Sequence, residues 1–122
     1  MIAALMAVAM SVATGTCNTY AGTGSGSVAG CRFTGSTRIG KRTASCATDS
    51  GSGVTVSVSD TRSYRIIKNN HIKSTKGGSS SKTGHTYSSY QCDSSKEYVS
   101  IYATHMAIKN TNREKIFTHA SR

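Results

Sequence analysis

The chain has 122 residues, no proline or tryptophan, and fifteen Lys and Arg against five Asp and Glu. That length holds one domain at most, and a formal net charge of +10 argues against cationic partners and for anionic ones. After Gly15 the Val, Ile and Phe content is only five, seven and two residues, so a self-sufficient apolar core is not expected and cross-links are.

In chain order, Ile2 to Ala13 is an almost unbroken apolar run, followed by the small residues Ala13-Thr14-Gly15. The run is too short to span a bilayer and suits the apolar region of a signal peptide. Residues 1–15 are therefore expected to be a signal peptide, and the protein to be secreted and extracellular. Residues 16–110 follow as a single small basic domain, and 111–122 as a polar C-terminal tail anchored by Ile116-Phe117.

Thr16 to Gly30 reads as an irregular leader. Cys31 to Thr34 and Thr37 to Ile39 read as short strand pieces, Gly40-Lys41-Arg42 as a turn, and Thr43 to Thr48 as a returning strand. Asp49 to Gly53 has turn composition. Val54, Val56 and Val58 then alternate with Thr55, Ser57 and Ser59, the period of a half-buried strand. Asp60-Thr61 is expected to connect it to a partner over Ser63 to Lys68, making a hairpin. Asn69-Asn70 marks a turn, and Lys73 to Gly84 reads as a loop. Ser94-Ser95-Lys96-Glu97 fits a capping box, and Val99, Tyr102, Ala103, Met106 and Ala107 recur at helical spacing. The expected fold is thus a β-rich small disulfide-stapled domain of α+β class, with antiparallel hairpins and one C-terminal helix near 95–109.

Cys17, Cys31, Cys46 and Cys92 are an even set in a chain expected to be exported, which implies two disulfides with three pairings open. They stand 14, 15 and 46 positions apart, unlike the close pairs of structural zinc sites. No metal or cofactor is expected. The competing reading is four reduced thiols.

Catalytic signatures are largely absent. Gly24 to Ala29 matches a degenerate dinucleotide pattern but lacks a strand before it and a βαβ context. His71, His85, His105 and His119 leave room for acid–base chemistry on RNA, with His71, His85 and Glu97 as the candidate catalytic set. Exposed or structurally satisfied rings are the plainer account of each histidine. Tyr87, Tyr90, Tyr98 and Tyr102 lie near Lys82 and Lys96, where tyrosines could stack bases or sugars or else fill the core.

Two basic clusters carry the strongest signal. Arg32, Arg38, Lys41 and Arg42 surround the second and third cysteines, and Arg62, Arg65, Lys68 and Lys73 follow the valine strand. Solvated surface charge is the usual meaning of such runs, but their density and the scarcity of acids favour anion binding. At the first cluster, Cys31-Arg32-Phe33 and Gly40-Lys41-Arg42-Thr43-Ala44-Ser45-Cys46 resemble the cationic, disulfide-rich antifungal proteins secreted by filamentous fungi. That resemblance implies a stapled β-barrel acting at fungal walls and membranes. This chain is longer and carries fewer cysteines than that family.

The leading expectation is a secreted cationic toxin, antimicrobial or effector binding an anionic surface, whether wall, membrane headgroup or nucleic acid. A small secreted ribonuclease is the enzymatic alternative, and a weakly folded product with no settled biochemical function is the third. Sequence leaves the target and the oligomeric state open.

Overall fold

The computed structural model describes residues 20–122; the expected signal peptide and Cys17 lie outside the described residues. Small or apolar side chains alternate with polar ones through most of this stretch, and strands are the result. In order they are β1 (Tyr20–Val28), β2 (Cys31–Ile39), β3 (Thr43–Ser50), β4 (Thr55–Ile66), β5 (His71–Thr83), β6 (His85–Gln91), β7 (Lys96–Lys109) and β8 (Asn112–Ser121). They form two four-stranded antiparallel sheets, β1-β2-β3-β6 and β5-β4-β7-β8. The protein is small and all-β.

The inner faces of the two sheets meet in two apolar clusters. Ile39, Ala44 and Cys46 from the first sheet pack with Val58, Ile101, Ala103 and Ala120 from the second, and Val28 and Phe33 pack with Val54, Val56 and Ala107. The sheets also meet at their edges. A Cβ at Gly22 of β1 would run into the His119 carbonyl of β8, so glycine permits that approach. Opposite, the Ser79 hydroxyl of β5 donates to the Tyr87 carbonyl of β6 and meets the Ser88 hydroxyl. Edge backbone is thereby shielded.

Several sequence expectations are overturned. The predicted helix near 95–109 is β7. Ile101, Ala103, His105 and Ala107 point inward with a period of two, and β7 is paired on both sides, by β4 and β8. The capping box is not used: Asp93 accepts from the Ser95 amide and hydroxyl to form a turn, and Glu97 pairs with Arg65. Asp60-Thr61 is no connection, because β4 runs through it to Ile66. The expected loop from Lys73 is most of β5, the polar tail is β8, and much of the leader is β1. The hairpin pairing of β1 with β2 turns through Ala29 (φ 48) and Gly30 (φ 77), a two-residue turn whose positive dihedrals suit strand twist.

The disulfide staple is also corrected. Cys31, Cys46 and Cys92 are free thiols. Cys46 stands opposite Thr37 on β2, six strand residues from Cys31, or ~20 Å. It stands opposite Ser88 on β6, four residues from Cys92, or ~14 Å. A disulfide needs Cα atoms within about 7 Å. Burial, then the Asp60 charge, pushes the Cys46 thiol up to about 12 against the pull of Arg62, so it stays protonated.

A histidine takes the place of a large apolar group at the centre. His105 is fully buried on β7, with Nδ1 2.8 Å from Thr48 Oγ1 of the facing sheet and Nε2 2.6 Å from Thr118 Oγ1 of β8. Thr48 donates its own hydrogen to the Ser57 carbonyl at 3.2 Å, so Nδ1 carries the ring proton and Nε2 accepts from Thr118. Gly35 of β2 makes room for the ring, since a Cβ there would run into it.

Burial drives the His105 imidazole from 6.5 down to about 4, against a smaller upward pull from a hydrogen bond with the Ala47 backbone. Between those values the unfolded chain binds a proton that the folded chain refuses. The contribution of His105 to stability is therefore full above pH 6.5 and is lost, by roughly 3 kcal/mol, as the pH drops through that window. Urea unfolding at pH 7.5, 5.5 and 4.5 measures this slope, and His105→Gln flattens it. Gly35→Ala, which crowds the same ring, is expected to cost about 1–3 kcal/mol at pH 7.5.

Candidate functional site

Strand alternation places half of each sheet's side chains on a solvent face. On the first sheet, the outer rows contain Ala21, Arg38, Ser45 and Ser89; Thr23, Ser36, Ala47 and Tyr87; and Ser25, Thr34, Asp49 and His85. His85 pairs with Asp49 across β6 and β3, and its ring lies beside Tyr87 with centroids 6.5 Å apart. Arg32 and Arg38 are exposed on this face.

The second sheet offers a richer surface. Lys76, Thr61, Tyr102 and His119 form one outer row, and Gly78, Ser59, Thr104 and Phe117 the next. Tyr102 and His119 are stacked, with centroids 4.2 Å apart and planes at 9°. Phe117 is 72% exposed, the most open large apolar side chain among the described residues. Partial burial holds the His119 imidazole below its ordinary value. A shallow, open depression of about 440 Å³ is lined by Ser59, Thr61, Lys76, Tyr102, Thr104 and Phe117. Lys115 and Arg113 continue the outward side of β8 beyond Phe117.

The eight basic residues singled out from sequence divide into free and engaged groups. Lys41 and Arg42 occupy the β2–β3 turn, where Arg42 donates to the Ser94 carbonyl at 3.5 Å. Lys68, in the β4–β5 turn, and Lys73, on β5, are exposed. Arg65 is bound to Glu97 at 2.7 Å. Arg62 is buried inside the sandwich: its Nε lies 3.2 Å from Asp60 Oδ2, and its guanidinium carbon sits 3.2 Å from the centre of the Tyr90 ring. The Nε–H is not aimed at the carboxylate, so the pairing is mainly Coulombic. Tyr90 donates to Asp60 Oδ1 at 2.8 Å, while burial and this bond raise its phenol above the ordinary value. Arg62 therefore joins the two sheets and does not face a ligand.

The candidate catalytic set does not assemble. His71 opens β5 and His85 follows its far end, ~40 Å along the strand. Glu97 is engaged with Arg65. Among the described residues no group of three His, Cys, Asp or Glu side chains is placed to hold a metal ion, and no helix is long and apolar enough to cross a membrane.

Tyr102, Phe117 and His119 are the surface residues that sequence reading did not bring together. Helical periodicity turned Tyr102 inward, and Phe117 read as an anchor. The available signal was the two-residue alternation of Ile116, Thr118 and Ala120 against Phe117 and His119. No protein family, curated protein or solved structure matches this chain.

Arg62→Ala leaves Asp60 buried without its counter-charge and is expected to destabilise the fold by about 3–5 kcal/mol. Arg38→Ala, on the open face, is expected to stay within about 0.5 kcal/mol. Urea unfolding of both variants at pH 7.5 separates the arginine that builds the fold from one that decorates it.

Proposed function

We propose that this protein is a secreted, cationic, non-enzymatic binding protein of the toxin, antimicrobial or effector kind, and that it attaches to an anionic polymer through the outer face of the β5-β4-β7-β8 sheet. One observation carries the reading. That face combines exposed rings, Tyr102 and Phe117, with Lys76, Lys115 and Arg113, and among the described residues none of these cations has an acidic partner in an ion pair. Large exposed apolar side chains cost solubility, and their grouping beside free positive charge is the composition of a contact surface.

Charge attraction brings the polymer to the face at long range, and the rings supply the short-range contact. The hydroxyls of Ser59, Thr61 and Thr104 form a low floor that lets a flat ligand approach. Turnover has no support of comparable weight, because the histidines needed as an acid–base pair lie at opposite ends of β5.

Binding of fluorescent anionic polymers across a salt series tests the reading. Affinity is expected to fall linearly on a log–log scale with salt. Lys76→Gln with Lys115→Gln should reduce both affinity and slope, whereas Arg32→Gln with Arg38→Gln on the other sheet should change affinity less. Equal losses from both pairs would mean diffuse attraction without a site, and no binding at low salt would end the proposal.

A further inference from the structure

We infer that the ligand of this face is single-stranded nucleic acid, with bases stacked on Tyr102 and Phe117 and phosphates held by Lys76, Lys115 and Arg113. The inference rests on the anionic-polymer reading above and names its ligand class.

The geometry of the ring pair points there. Tyr102 and His119 are cross-strand partners, and their 4.2 Å centroid separation at 9° is close to the ~4.8 Å spacing of neighbouring strands. The normals of both rings therefore run across the strands. With His119 covering one face of Tyr102, the other face looks along its row over Thr61 toward Lys76. Two strand spacings, ~10 Å, separate the Tyr102 and Lys76 backbones. That interval takes one planar ring against the tyrosine with room for an anionic group at the lysine. Nothing bulky occupies it, because Ser59, Thr61 and Gly77 line its floor.

The order of side chains along β8 extends the site. Arg113, Lys115, Phe117 and His119 are successive outward residues, each ~7 Å from the next. Two cations are thus followed by two rings on one flat face, while the intervening Glu114 belongs to the opposite side of the strand. A single nucleic-acid strand presents the matching features: a negative charge at each repeat and a planar ring hung to one side. Base stacking tolerates any base identity, which suits a floor of hydroxyls without a fixed bidentate reader. A duplex keeps its base faces inside the stack and offers this surface only phosphates. A sulfated or uronic polysaccharide offers charge but no π-face for the Tyr102 wall.

The test is fluorescence anisotropy of the full chain with labelled oligo(dT), a duplex of equal length, and labelled dextran sulfate, at fixed salt. Oligo(dT) is expected to bind at least about tenfold more tightly than the duplex. Phe117→Ser and Tyr102→Ala should each weaken oligo(dT) binding by about 5- to 100-fold, with Tyr87→Ala on the other sheet as the unaffected control. Lys115→Gln should reduce the salt slope by about 0.7. Equal binding of oligo(dT) and dextran sulfate with neutral ring substitutions would overturn this inference and leave the cationic-binding reading standing. No binding to any of the three would overturn both.

Discussion

The fold depends on buried polar groups that reach from one sheet to the other. His105 of β7 binds Thr48 of β3 through one ring nitrogen and Thr118 of β8 through the other. At a second point, Asp60 of β4 accepts from Tyr90 of β6 and lies against Arg62. Such groups stabilise only when their partners are in place, because an unmatched polar group in a dry interior costs more than a matched one contributes. The two bridges therefore select one alignment of the sheets. A one-residue slip would turn His105 to the solvent face and leave Thr48 and Thr118 without it.

That dependence follows from a shortage of bulk. The inward positions hold Ala44, Ala103, Ala107 and Ala120 beside a few Val, Ile and Phe. Small side chains bring backbones close and bury little area each, so apolar transfer alone specifies the packing weakly. Glycine contributes to the same economy of space. Gly35 admits the imidazole, Gly22 admits β8 to β1, and Gly77 lies against the Tyr90 hydroxyl and the Arg62 guanidinium. Side chains at these places would force apart the contacts that hold the sheets together.

Legibility in the sequence tracked how local the determinants were. The Val54, Val56 and Val58 alternation and the turns at Gly40 to Arg42 and Asn69-Asn70 are local, and the structure has strands and turns there. The segment 96–109 was ambiguous because Ala103 and Ala107 satisfy a helical and a strand period alike. Pairing with β4 and β8, remote in sequence, decides it as strand. Composition misled for β5, where Gly77, Gly78 and the serines suggest a loop while a patterned partner, β4, supplies the register. Counting cysteines misled as well, since parity says nothing about the strand positions that separate Cys31, Cys46 and Cys92. Net charge was legible throughout, but which cations are free was not, because Arg62 and Lys73 differ only in tertiary surroundings.

The shortage inside makes the surface more informative. A chain with only eight Tyr and Phe leaves Tyr87, Tyr102 and Phe117 largely open to solvent, although its interior makes do with alanine and threonine. Were bulk placed only for stability, the rings would be drawn to the core, where each buried aromatic contributes most. Instead Tyr102 and Phe117 occupy one outer face, and a third ring on that face, His119, stacks on Tyr102 without entering the core. Their position costs folding energy that this sequence has little of. An exposed stacked pair beside lysines that lack an ion-pair partner among the described residues accordingly adds little to the core.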